Sequence, residues 1–86
     1  MNIDDDKKFD FMDSLAKTAN FTHAKLCTID GIRVDFEDSW GLVRASNTTP
    51  SIVFRFEADG ENELEEVKTK FRLWLHTLNP QLNLPF

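Results

Sequence analysis

Cysteine is nearly absent from this sequence, since Cys27 is the only one among 86 residues. A single thiol excludes an intramolecular disulfide and a metal cluster built from thiolates. A catalytic thiol would need a nearby histidine and a cleft, so we interpret Cys27 as a small, at least half-buried strand residue. His23 and His76 lie far apart with no second ligand at metal-binding spacing. The sequence therefore predicts neither a metal site nor a histidine base.

Basic residues are also in the minority. Lys and Arg number 10 against 15 Asp and Glu, which gives a net charge of -5. Such a balance repels phosphate backbones and anionic lipid surfaces, so nucleic acid and membranes are poor partners. No apolar run approaches the roughly 20 residues of a spanning helix. The start "MNIDDDKKFD" has neither the basic beginning nor the apolar stretch of a signal peptide, and we expect a cytoplasmic protein.

Apolar residues, by contrast, are plentiful. Hydrophobic residues make up 41% of the chain and include eight Phe and two Trp. This is the composition of a folded globular chain, and the length allows one modest core. No repeat, low-complexity tract or internal linker interrupts the sequence. We expect a single domain over residues 1–86.

Helical spacing occurs at the two ends of the chain. The first predicted helix runs from Asp4 to Ala19, and we interpret Asp4–Asp6 as a helix start, because the pattern of a calcium-binding loop is missing. Its apolar residues, which we expect on the buried face, are Phe9, Met12, Leu15, Ala16 and Ala19. A second helix is predicted beyond Asp59 or Gly60, either of which could cap it. Its solvent-exposed side carries Glu66 and Lys70 as a favourable i,i+4 pair. The apolar residues of this helix are Leu64, Val67, Phe71, Trp74, Leu75 and Leu78.

Four strands are predicted between these helices. The run 25–29 and the alternating residues 32–36 flank Asp30-Gly31, which suits a two-residue hairpin turn. Residues 40–46 form the third strand, and the alternation after Pro50 forms the fourth. The order helix, four strands, helix predicts a two-layer α+β fold with a four-stranded, mostly antiparallel sheet. Residues 79–86, "NPQLNLPF", are expected to be a C-terminal extension that lies on the body of the protein.

The stretch "WGLVRASNTTP" is the only one with an evident chemical use. In an extended strand Arg44 and Ser46 point to one face while Val43 and Ala45 point to the other. The loop that follows, Asn47 to Thr49, adds an amide and hydroxyls to the guanidinium and the backbone N–H groups. Arginine binds phosphate oxygens through parallel charge-assisted bonds, and neutral donors can complete the shell. The pattern fits a phosphate cradle, but also a polar turn with a solvent-facing arginine.

The stretch "DGIRVDFEDSWGLVRASNTTPSIVFRFEAD", the Glu-rich helix and the ending "LPF" closely resemble the C-terminal domain of bacterial phosphomannomutases/phosphoglucomutases, in the α-D-phosphohexomutase superfamily. The likeness covers nearly the whole chain, and "RASNTTP" is its specific part. Relatives that act on glucosamine phosphate typically carry a Gly-Thr-Glu-Pro variant, so the hexose-phosphate branch is favoured. Ser39 departs from the glycine that often precedes the tryptophan in relatives.

The resemblance implies a role for this domain within a four-domain isomerase, an intramolecular phosphotransferase that interconverts hexose 1-phosphate and hexose 6-phosphate through a bisphosphate. The fourth domain holds the substrate phosphate that is not being transferred, and it contributes no catalytic residue, metal or cofactor. A phosphoserine and Mg²⁺ are expected in the other three domains, which are the implied partners. Carried over by residue, the phosphate-binding positions are Arg44, Ser46, Asn47, Thr48 and Thr49.

Two functions therefore remain open on the sequence. The first is the substrate-phosphate-binding domain of such a mutase, which alone is not expected to be catalytic. The second is a free-standing α+β module that binds a small ligand or a protein partner through its sheet, with the polar loop as an ordinary turn.

Overall fold

The computed structural model describes residues 1–86 and has the predicted order of helix, four strands and helix. The elements are α1 (Lys8–Thr18), β1 (Lys25–Cys27), β2 (Ile32–Asp35), β3 (Ser39–Ala45), β4 (Ile52–Ala58) and α2 (Glu61–Leu78). The strands form one antiparallel sheet in the order β1-β2-β3-β4. The α+β prediction is confirmed. Neither helix combines the length and apolarity needed to cross a membrane.

The core lies between the inner face of the sheet and the two helices. Strands β2, β3 and β4 supply alternate residues to it, as the period-two pattern requires. Helix α2 supplies three residues at the predicted helical spacing, whereas α1 supplies one apolar residue. The fully buried side chains are Leu15, Ile32, Val34, Val43, Ile52, Val67, Phe71 and Leu75.

The first helix is shorter than predicted and its apolar face is different. It begins at Lys8, because Asp4–Asp6 belong to a preceding turn in which Lys7 N donates to Asp4 O at 2.9 Å. Phe9, expected on the buried face, is 63% exposed. Helical spacing alone placed this ring wrongly, since the face of α1 that meets the sheet is centred on Leu15.

The connection between β1 and β2 also differs from the prediction. Cys27 pairs with Arg33, so four residues, Thr28 to Gly31, connect the strands where a two-residue turn was expected. Gly31 has φ +81°, and a Cβ placed there would lie 2.5 Å from Val43 O and 2.6 Å from Arg44 Cβ. The turn is therefore pressed against β3, which requires glycine both for its conformation and for the close approach.

The surface of α2 carries different pairs from those expected. Glu66 and Lys70 form no ion pair, because the Lys70 ammonium lies 4.2 Å from the centre of the Phe36 ring. Glu65 pairs instead with Lys68 and Arg72, at 4.0 and 3.9 Å. Beyond α2, the chain returns along the sheet.

Residues 79–86 are held there by their last side chain. The Phe86 ring packs edge-on against Phe54 and Phe56, with ring centres 5.0 and 4.8 Å apart. Arg72 Nε donates to the Phe86 carbonyl at 3.1 Å. The terminal phenylalanine therefore covers the aromatic pair of β4.

Candidate functional site

Strand β3 presents Arg44 on the outer face of the sheet. Val43 is fully buried, Ala45 packs against the core, and Arg44 stands opposite Val53 of β4. Paired residues of an antiparallel ladder point to the same face, and Val53 is exposed. The predicted alternation of faces is confirmed, and it brings the guanidinium to the end of β3 where the polar loop begins.

The loop from Ser46 to Pro50 is a turn built around one hydroxyl. Ser46 Oγ accepts hydrogen bonds from Thr48 N at 3.3 Å, Thr49 N at 3.2 Å and Thr49 Oγ1 at 2.8 Å. Ser46 N donates to Ser51 O at 2.9 Å and closes the turn. The sequence brings Ser46, Thr48 and Thr49 together as expected, but part of their bonding capacity is used within the loop.

The remaining donors point to the surface. Asn47, Thr48 and Thr49 are exposed, and the side chains of Asn47 and Thr48 take part in none of the hydrogen bonds of the structure. Ser46 Oγ accepts a hydrogen bond from Thr49 Oγ1, so the Ser46 hydroxyl proton remains available for donation. The loop can therefore offer an amide group and two hydroxyl protons to an acceptor outside the fold.

The arginines of the outer face differ in how far they are engaged. Arg33 binds both carboxylate oxygens of Asp35 and lies 4.2 Å from the centre of the Trp40 ring. The hydrogen bond to Asp35 raises the pKa of Arg33 above its ordinary value. Both residues of this pair belong to β2. Arg44 and Arg55 have no ion pair, hydrogen bond or aromatic partner, so their charges are uncompensated.

Lys8 contacts this loop from the inside, a contact that the sequence pattern does not predict. It is 5% exposed, and its ammonium donates to Ser46 O at 2.6 Å and Thr49 O at 3.3 Å. Asp5 Oδ1 lies 2.9 Å from the same nitrogen. A lysine in the first turn of an amphipathic helix is normally read as a solvent-exposed residue, so periodicity could not reveal this contact.

The N-terminal segment also pairs with the loop. Ile3 N donates to Pro50 O at 3.0 Å, and Ile52 N donates to Met1 O at 2.8 Å. Asn2 and Ser51 form an isolated antiparallel bridge. The start of β4, where the loop ends, is thereby covered by a short extended strand of backbone.

The residues considered for other chemistry do not form a second centre. Cys27 is exposed, so its expected half-buried position was wrong. His23 is exposed and has φ 59°, and His76 Nε2 lies 3.1 Å from Leu82 O. No three His, Cys, Asp or Glu side chains come together in an arrangement that could hold a metal ion.

One cleft of the fold lies away from the polar loop. It has a volume of about 600 Å³ and is lined by the segment around Phe21 and by α2, whose contribution includes Trp74, Leu73 and Lys70. Phe21 and Trp74 meet edge to face, with ring centres 5.2 Å apart. We assign the candidate site to the loop because its donors converge there beside Arg44, whereas Lys70 is the only Lys, Arg, Asp or Glu that lines this cleft.

The chain is thus an α+β domain whose candidate site is an arginine at a strand end followed by a serine-centred loop. The family model for the phosphoglucomutase/phosphomannomutase C-terminal domain matches residues 2–73. This chain belongs to that family, and the resemblance seen in the sequence is confirmed.

Relatives of known name match nearly the whole chain. A phosphomannomutase/phosphoglucomutase of Pseudomonas putida is 52% identical over 88 residues, which is 100% of this chain and 19% of the relative. A phosphoglucomutase of Neisseria meningitidis serogroup B is 47% identical, over 86% of this chain and 16% of the relative. A crystal structure of a phosphoglucomutase/phosphomannomutase family protein from Burkholderia thailandensis superposes with TM-score 0.86 at 42% identity, covering 92% of this chain and 18% of that chain.

Proposed function

We propose that residues Arg44 to Thr49 bind the phosphate group of a hexose phosphate in a phosphomannomutase/phosphoglucomutase. The observation that carries this proposal is the uncompensated Arg44 guanidinium beside a loop of neutral donors, in a chain whose net charge is -5. A free cation on an acidic protein is available to an anion. The names of the relatives supply the substrate class.

Each residue of the loop has a distinct part in this binding. The planar guanidinium of Arg44 donates two parallel charge-assisted hydrogen bonds to phosphate oxygens. The proton of Ser46 Oγ, the amide of Asn47 and the hydroxyl of Thr48 donate to the remaining oxygens, and Thr49 orients the Ser46 hydroxyl. Because only one member of the set is charged, the phosphate is held reversibly.

Reversible binding suits the reaction that the family resemblance implies. A mutase that works through a bisphosphate must hold the phosphate that is not reacting, and must release it when the intermediate turns around. The role of this chain is then to position substrate, which lowers the barrier without any bond being made here. Phosphoryl transfer, the phosphoserine and Mg²⁺ belong to the other three domains, with which this chain acts. The exposed, unpaired thiol of Cys27 suits the reducing cytoplasm proposed for this enzyme.

The proposal is tested by NMR titration of the labelled chain with inorganic phosphate and with glucose 1-phosphate at constant ionic strength. We expect the amides of Ser46 to Thr49 to shift most, with a dissociation constant of order millimolar, or about -4 kcal/mol. Glucose without phosphate is the matched control and should leave these amides in place. Shifts centred on the helices or near His23 would refute the assignment.

A further inference from the structure

Lys8 is the only charged side chain that the structure buries. Lysine is almost never buried unless its ammonium is paired, and here three acceptors surround it: Ser46 O, Thr49 O and Asp5 Oδ1. Two of the three belong to the polar loop. Most of the polar contacts of this buried charge are therefore made with the loop of the candidate site.

The two carbonyls bracket the donors of the candidate site. Ser46 O and Thr49 O stand on either side of Asn47 and Thr48, whose side chains are exposed. A carbonyl oxygen aimed at a phosphate would repel it, so an anion-binding turn has to direct its carbonyls elsewhere. Because Nζ of Lys8 is buried, the carbonyls that bind it face the interior of the protein.

The Ser46 carbonyl depends on this contact more than the Thr49 carbonyl does. Thr49 O also accepts a hydrogen bond from Ser51 N at 2.8 Å, and the turn is closed independently by Ser46 N and Ser51 O. Lys8 Nζ is the one hydrogen-bond donor to Ser46 O. Loss of the ammonium would free this carbonyl to rotate while the strand pairing beyond it persists.

We propose that Lys8 is a positioning residue for phosphate binding: it holds the carbonyls of Ser46 and Thr49 inward so that the loop presents donors alone. This inference rests on the proposed function of the loop. Lys8 acts through the backbone and does not touch the anion, whereas Arg44 binds it directly. Asp5 fixes the ammonium from the solvent side and limits its movement.

The test compares Lys8→Met with Lys7→Met in the labelled 86-residue chain. Both changes remove one positive charge from neighbouring positions, but the Lys7 side chain is 69% exposed and only meets Asp4, at 3.8 Å. We expect Lys8→Met to weaken binding of inorganic phosphate roughly tenfold, and Lys7→Met less than about twofold. The carbonyl ¹³C shift of Ser46 should move in Lys8→Met before any phosphate is added, a change that general destabilisation does not produce.

A second variant decides the matter if Lys8→Met does not fold. Lys8→Arg keeps the charge, but its planar guanidinium cannot direct three donors from a single nitrogen, so phosphate binding should fall at least threefold. Unchanged affinity in either folded variant, with Arg44→Ala still weakening binding at least tenfold, overturns the role of Lys8 alone. If the unaltered chain shows no phosphate-dependent shift in the loop, the proposed function fails and the positioning role is overturned with it.

Discussion

At the scale of single residues, the arginines of this sheet differ in whether the guanidinium already has a partner within the chain. Arg33 is occupied by Asp35 and Trp40, and its raised pKa records that engagement. Arg44 has no such partner, although both residues project from the same face. Residue type alone would make Arg33 and Arg44 equally good candidates for binding an anion. The candidate role of Arg44 therefore follows from its uncompensated charge and from its place beside the loop.

Arg44→Ala should weaken phosphate binding and leave the fold intact. Losing the bidentate, charge-assisted contact should cost on the order of 1.5–3 kcal/mol of binding free energy, or about ten- to a hundredfold. The free energy of unfolding should change by less than about 0.5 kcal/mol, because the guanidinium has no partner to lose. Phosphate titration followed by NMR, together with thermal unfolding, measures both quantities.

Arg55→Ala is the control for this change, because Arg55 is equally unpaired but lies opposite Leu42, away from the loop. It should lower the affinity only through the general field, and so by much less. Arg44→Lys should rescue part of the binding, since a point charge lacks the fork.

In a full-length mutase, kcat/KM should fall for mannose and glucose phosphates alike. A change within about twofold would mean that the cluster is merely a polar turn.

Some residues of the site could be placed from the sequence, and others could not. The alternation of Val43, Arg44 and Ala45 follows from the geometry of any strand, so the outward arginine was foreseeable. The burial of Lys8 was not, because it depends on carbonyls 38 and 41 residues further along the chain. Cys27 was misplaced for a similar reason: β1 is an edge strand whose residues are all exposed, and its short sequence does not show which face is covered.

At the scale of elements, long-range packing explains where local patterns failed. The Asp30-Gly31 dipeptide suits a two-residue turn, yet the glycine is needed to let the turn approach β3. The contact of α2 with the sheet was predicted correctly because three buried residues repeat at helical spacing over 18 residues. The contact of α1 involves one apolar residue, which is too little for periodicity to identify the buried face.

The packing of α2 on β3 depends on Gly41. A Cβ at this position would lie 2.6 Å from two ring carbons of Phe71 and 3.1 Å from Phe56. Gly41→Ala should therefore push the helix from the sheet and cost about 1–3 kcal/mol of unfolding free energy. The measurement is urea unfolding, and the midpoint should fall with little change in slope.

Gly60→Ala provides the comparison for this prediction. A Cβ at Gly60 would meet Glu63 Oε2 at 2.5 Å, but that atom ends a flexible side chain and can move. Its backbone is extended, with φ -153°, so alanine fits the conformation. The loss of unfolding free energy should stay below about 1 kcal/mol, because Gly60 makes no side-chain capping hydrogen bond that the substitution could remove. Equal losses in the two variants would contradict the packing role of Gly41.

At the scale of the whole molecule, one core joins five of the six elements. Leu15 comes from α1, Ile32 and Val34 from β2, Val43 from β3, Ile52 from β4, and the other three buried residues from α2. The candidate site lies between the end of β3 and the start of β4, and these two strands form seven residue pairs. The loop is thus attached to the best-paired part of the sheet, and its free side chains project from a rigid base.

This arrangement predicts that the 86-residue chain unfolds cooperatively, with β1 as its least protected strand. A core shared by distant elements cannot be lost in parts, so calorimetric and van't Hoff enthalpies should agree, near roughly 60 kcal/mol at the midpoint for a chain of this length. Strand β1 buries no residue and pairs on one side only, so the amides of Leu26 and Cys27 should exchange with solvent through local opening, well before those of β3. Hydrogen exchange followed by NMR distinguishes the two. A gradual melt would show that the core depends on contacts beyond this chain, whereas protection of β1 equal to that of β3 would show that β1 does not open locally.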